Sequence, residues 1–181
     1  MFEESVILND LLVQTKYIPR ALIIGLLMVI AYLFFNENRS NAKQKIIGLI
    51  KQRWIATYIF YLAYILTGTI FARQNTAPYV KIVESFGFRK DDPNWNKEII
   101  ENIVLFIPYI WLYLKAFQTA TPWKNALKVA FLTSLSIELC QLFFWLGAFQ
   151  LADMVHNVLG GMIGCGIWYF EEWVKKRAGR R

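Results

Sequence analysis

Residues 129–170 read VAFLTSLSIELCQLFFWLGAFQLADMVHNVLGGMIGCGIWYF. Glu138 is the only charge in Val129–Ala152, and Met154–Phe170, between Asp153 and Glu171, has no Asp, Glu, Lys or Arg. A helix that crosses a bilayer needs about 20 mostly apolar residues, roughly 17–25. Both stretches therefore predict membrane helices, with two acids placed where acids are expensive.

The same pattern extends upstream. Trp54–Ala72 is uncharged between Arg53 and Arg73, and Ala21–Phe35 is uncharged with Ile18 to Arg20 as an extension. Asn102–Leu114 lies between Glu101 and Lys115, with Ile99 and Ile100 as its first turn. The stretch YIFYLAYILTGTIF (58–71) is apolar on every helical face, whereas a helix in a soluble core keeps a polar side. The expected fold is all-α: a polytopic membrane helix bundle of about five transmembrane helices in one domain, residues 1–181.

Composition agrees. Hydrophobic residues make up 56% of the chain, above the roughly 45–50% of soluble proteins, and charged residues 18%, below the usual ~25%. The aromatic share of 17% excludes a disordered chain. Cys140 and Cys165 sit in apolar runs without metal spacing and read as small buried hydrophobes. The start MFEES lacks the basic region of a signal peptide, so none is expected.

The net charge of +7 would suit nucleic acid, but its distribution suits a membrane. Thirteen of the 20 basic residues fall in 36–53, 115–128 and the C-terminal tail, and seven on the opposite side. By the positive-inside rule the N-terminus is outside and the C-terminus cytoplasmic. No nucleic-acid partner is expected. The tail KKRAGRR would attract anionic lipid heads, at ~1 kcal/mol per basic residue. The sequon Asn38-Arg39-Ser40 falls on the cytoplasmic side and is discounted. Pro78 to Phe86, in the long external connection, reads as amphipathic turns at the interface or as a surface loop, ended by Gly87 and Asp91-Asp92-Pro93-Asn94.

With that orientation the polar residues share one depth. Ser134, Glu138 and Gln141, at spacings of four and three, form one helical stripe in the outer half of the fourth helix. Asp153 and Asn157 open the fifth, and Gly160, Gly161 and Gly164 continue their stripe with the GxxxG spacing that allows close helix approach. Asn102 begins the third helix near the outer surface, and Pro108 should bend it and open a cleft beneath Asn102. Buried acids in a bilayer are functional by default, so Glu138 and Asp153 are the leading site residues. The amides of Asn102, Gln141 and Asn157 divide evenly between helix glue and function. His156 reads as interfacial and solvated, and no metal or cofactor is expected from the spacing. Trp54, Trp111, Trp145, Trp168 and Trp173 read as interface anchors.

These residues resemble the VanZ-like membrane proteins. The motif Asn-x-x-x-Phe-x-Pro is matched by Asn102, Phe106 and Pro108, and Ser-x-x-x-Glu-x-x-Gln by Ser134, Glu138 and Gln141. Asp-x-x-x-Asn-x-x-Gly-(Gly/Ala)-x-x-Gly is matched by Asp153, Asn157, Gly160, Gly161 and Gly164. The match covers about residues 101–166. It departs at Gln150, where a further Asp is common, at Gly147, where many members have Arg, and in the external loop, which lacks a recognisable Asn-Leu-x-Pro-Phe. The resemblance implies a bacterial cytoplasmic membrane protein that acts at the envelope against glycopeptides such as teicoplanin. The leading expectation is a non-catalytic pocket of Asn102, Glu138, Gln141, Asp153 and Asn157 that binds an amphiphilic drug or a cell-wall precursor lipid. The alternative is an intramembrane enzyme with Glu138 and Asp153 as acid and base. A transporter ranks third, since without internal repeats it would need a homodimer.

Overall fold

The computed structural model describes residues 18–35, 42–71, 79–81, 86–117 and 119–179. The sequon at 38–40 and the first residues of the chain lie outside them. Five helices are described: α1 (Ile18–Phe35), α2 (Ala42–Leu66), α3 (Pro93–Phe117), α4 (Pro122–Phe143) and α5 (Leu151–Ala178). A π-helical turn, Thr67–Phe71, extends α2, and two short strands, β1 (Tyr79–Lys81) and β2 (Ala148–Gln150), form a parallel pair. Two helices, α3 and α4, are each long and apolar enough to cross a membrane.

Contacts along the helices fix their relative directions. The glycines of α5 climb α3 in register, Gly160 against Ile103 and Gly164 against Ile107, so α3 and α5 are parallel. Gly161 meets Ala130 while Asn157, earlier in α5, meets Ser134, so α4 runs against both. Tyr61 donates to the Leu105 carbonyl (2.9 Å) and Trp54 packs edge-on against Trp111 (5.6 Å), which makes α2 antiparallel to α3. Gly25 meets Phe60, while Met28, Val29 and Tyr32 pack near Ile55 and Ile59, so α1 opposes α2. Direction alternates from each helix to the next.

The core lies where α2, α3, α4 and α5 meet, with Phe106, Ile110, Leu114, Ala126 and Ala130 almost fully enclosed. A hydroxyl chain crosses it: Tyr58 bonds Tyr109 at 2.9 Å, and Tyr109 bonds Thr133 at 2.8 Å. Outward faces are the reverse of a soluble protein's. Val155, Leu159, Ile163, Ile167, Phe170 and Val174 form an exposed apolar stripe on α5, opposite its glycines. Such a continuous exposed stripe suits lipid rather than water.

Several sequence expectations are corrected here. Lys43, Lys45, Lys51 and Arg53 belong to α2 rather than to a 36–53 loop, because α2 starts at Ala42. The third helix starts at Pro93, since Asp92 caps it by accepting the Trp95 N–H at 3.0 Å and proline suits a first helical position. The stretch 129–152 is not one helix. It stops at Phe143, and the Leu146 N–H closes back on the Gln141 carbonyl at 2.8 Å while Trp145 takes the left-handed φ of 60°. Residues 79–81 are strand, because β2 offers them a partner, rather than amphipathic turns. Cys165 is buried, but Cys140 is only partly so.

At the end opposite the acids, Glu171 lies just past the apolar run. Its carboxylate pairs with Lys115 and with Lys175 (2.9 Å) and accepts the Trp111 indole N–H at 3.2 Å. Partial burial alone would raise this carboxyl. The two ammoniums and the indole over-ride burial and hold it at about 2, against an ordinary 4.5. A depressed folded-state value stabilises the fold above the unfolded value and is lost as pH falls towards the folded one. The melting temperature in detergent should therefore fall between pH 4.5 and 2, and Glu171→Gln should flatten that fall. An unchanged pH slope in the variant would count against this pairing.

Candidate functional site

The polar stripes of α4 and α5 meet. Asn157 donates through Nδ2 to Ser134 Oγ at 2.8 Å, and both side chains are buried. One turn further along α4, Glu138 Oε2 accepts the backbone N–H of Gln150 at 2.7 Å. Gln150 ends β2 and immediately precedes α5, so Glu138 ties the strand pair to the bundle. Asp153 is buried in the first turn of α5. Gln141 reaches the other way: its Nε2 donates to the Thr69 carbonyl in the π-helical turn at 3.0 Å. The turn carries two threonines that bond back to their own helix, Thr67 to Ala63 (2.7 Å) and Thr69 to Ile65 (2.8 Å). Such local bonds compete with a regular helical ladder. Gln141 supplies the donor for the Thr69 carbonyl.

The loop after residue 85 covers this end of the bundle. Trp95 Nε1 donates to the Gly87 carbonyl at 2.9 Å, and Asn96 clamps Arg89 through both its N–H and its carbonyl at 2.7 Å. His156 is buried rather than solvated. Its Nε2 sits 2.8 Å from the Phe86 carbonyl, and its ring meets Trp95 edge-on at 6.5 Å. A carbonyl accepts only, so Nε2 carries the proton there. The shielding comes from the covering loop, which the position of His156 in the sequence does not reveal.

Of the five residues expected to line a pocket, Glu138, Gln141, Asp153 and Asn157 are each buried, with Asn157 bonded to Ser134 one turn before Glu138, and Glu138 bonded to the Gln150 N–H three residues before Asp153. Asn102 is half-buried on α3, beside Ile103, and bonds to none of them among the described residues. Gly160, Gly161 and Gly164 pack as the spacing implies, on α3 and α4. Pro108 lies within α3. Among the described residues a cleft runs between α2, the π-helical turn and α4. Among the described residues no group of three His, Cys, Asp or Glu side chains is placed to hold a metal.

Two amide oxygens, Gln141 Oε1 and Asn157 Oδ1, are buried without a partner among the described residues. For Gln141 the assignment is fixed by chemistry, because the Thr69 carbonyl needs the NH₂ end. Buried polar atoms are satisfied in the great majority of proteins, so each exception calls for an explanation. What the region offers an incoming group is acceptors.

Helices with exposed apolar faces around a buried acidic and amide cluster define a helical membrane protein. The particular kind follows from the sequence itself, since residues 21–172 match the model of the VanZ/LLP1 family. The chain belongs to that family. No curated protein and no solved structure matches it.

Proposed function

We propose that this chain is a multi-pass protein of the bacterial cytoplasmic membrane that holds the polar head of an amphiphile in the cluster of Glu138, Gln141, Asp153 and Asn157, without catalysing a reaction. Five crossings, with the N-terminus outside and the C-terminus in the cytoplasm, agree with the alternating helix directions and with the thirteen-to-seven split of basic residues. That topology puts the cluster in the outer half of the membrane.

The observation that carries the reading is Gln141 Oε1, an acceptor without a partner among the described residues, on a residue that is 1% exposed. Burying such a group costs about 1–3 kcal/mol, which a hydroxyl or ammonium from a bound molecule would offset. Glycopeptides of the teicoplanin type and cell-wall precursor lipids carry such donors together with an acyl or prenyl chain. Glu138 is engaged with a backbone N–H, which suits a fixed binding wall better than an acid that must exchange protons.

Susceptibility of a Gram-positive host tests this. Empty vector, wild type, Glu138→Gln and Asp153→Asn are compared at matched membrane levels against teicoplanin, vancomycin and a lipoglycopeptide. The expected result is resistance to the acyl-bearing drugs with wild type alone. If wild type gives no shift, the antibiotic role fails. Resistance that persists in both variants would remove the cluster from it.

A further inference from the structure

A cleft of about 260 Å³ opens between α2, its π-helical turn and α4. Leu62, Leu66, Ile70, Leu132, Ile137 and Cys140 form most of its wall. Its two hydroxyls are already engaged: Thr133 bonds Tyr109 at 2.8 Å, and Ser136 bonds the Leu132 carbonyl of its own helix at 2.7 Å. The wall is therefore apolar in effect. Ligand pockets for drug-sized molecules span roughly 300–1,000 Å³, so this cleft is too small for the polar body of a glycopeptide. A flexible hydrocarbon chain suits it.

Two wall residues are chain neighbours of the Gln141–Thr69 hydrogen bond. Ile70 follows Thr69, whose carbonyl holds Gln141, and Cys140 precedes Gln141 on α4. Gln141 Oε1, buried and without a partner among the described residues, therefore belongs to the residue next in the chain to the Cys140 wall, and the Gln141 amide is held by the residue next to the Ile70 wall. π-helical turns inside α-helices are frequent at functional sites. Here the turn supplies both the Ile70 wall and the carbonyl that orients Gln141. An apolar slot whose wall residues neighbour a buried hydrogen-bond acceptor in the chain matches a molecule with one chain and a donor-bearing head.

We infer that this cleft holds the acyl chain of an amphiphile whose hydroxyl- or ammonium-bearing head lies at Gln141. The inference rests on the amphiphile reading above and adds where the chain goes and what the head must carry.

The test uses the full-length protein in phosphatidylglycerol nanodiscs with a monoacylglycerol that bears a diazirine near its acyl end. Adducts are mapped by mass spectrometry after illumination. They should concentrate on the α2 and α4 peptides that carry Leu66 and Cys140. Ser136→Phe fills the cleft without removing a tertiary hydrogen bond and should lower the yield about tenfold, the equivalent of 1.4 kcal/mol. Leu139→Phe, at an exposed position on the same helix, should leave it unchanged. Adducts spread equally over the outward stripe of α5, or a yield that Ser136→Phe does not reduce, would overturn the inference. So would efficient oxidative cross-linking of Cys140 between two copies without lipid adducts, which would assign the face to a second chain. Loss of drug resistance in Glu138→Gln has no bearing on this yield, so the two readings fail separately.

Discussion

Gly160→Ala and Gly164→Ala should each sharply reduce the amount of folded protein, while Gly166→Ala, on the same helix, should not. A Cβ at Gly160 would lie 2.1 Å from the carbonyl oxygen of Ile103, and one at Gly164 would lie 2.1 Å from that of Ile107. Both obstacles are backbone, which cannot rotate aside, so α3 and α5 would have to separate. Overpacking typically costs 1–3 kcal/mol and occasionally more, and here the cost falls on the main contact between two helices. The double variant should not accumulate as a monodisperse species at all. At Gly166 a Cβ meets nothing within 4 Å, and alanine is favoured over glycine in a helix by about 0.8–1.0 kcal/mol. Size-exclusion profiles and melting temperatures in one detergent compare the three directly. Equal behaviour of the three single variants would mean that the α3–α5 contact is looser than described.

Those glycines were legible in the sequence because small residues four apart on one helix have one common physical use. Ser134 and Glu138 were legible for a related reason, since the same spacing placed them on a stripe that meets α5. The partners of the site were not legible. Gln150 contributes its N–H, Thr69 its carbonyl and Phe86 its carbonyl, all main-chain groups whose position depends on how distant segments come together. Trp145 hid the end of α4. It occupies the left-handed position that glycine usually marks, so the stretch to Ala152 reads as unbroken. The covering loop misled on His156 in the same way, by supplying shelter that local sequence does not encode. Asn102, whose spacing to Phe106 and Pro108 fits the family motif, is half-buried on α3.

Glu138 can separate support of the fold from binding. The residue is 2% exposed, and its carboxylate accepts the Gln150 N–H at 2.7 Å, where β2 passes into α5. Glu138→Gln keeps a carbonyl oxygen in reach of that N–H and replaces a carboxylate acceptor there by a neutral one. Hydrogen bonds to charged groups contribute about 1.5–3 kcal/mol and neutral ones about 0.5–1.5, so a loss on the order of 1 kcal/mol is expected. Glu138→Leu removes the acceptor and strands the amide inside the bundle, at about 1–3 kcal/mol, and it should also release the β1–β2 pair. Hydrogen exchange reads the difference locally. In Glu138→Leu the Gln150 amide should lose protection while the amides around Gly161 and Cys165, within the α3–α5 packing, keep theirs. In Glu138→Gln both should stay protected. A Glu138→Gln protein that keeps this pattern yet confers no resistance would place the negative charge itself in ligand binding. Loss of Gln150 protection in that variant would instead show that the charge is needed to hold the strand, and Asp153→Asn would then be the cleaner probe of the pocket.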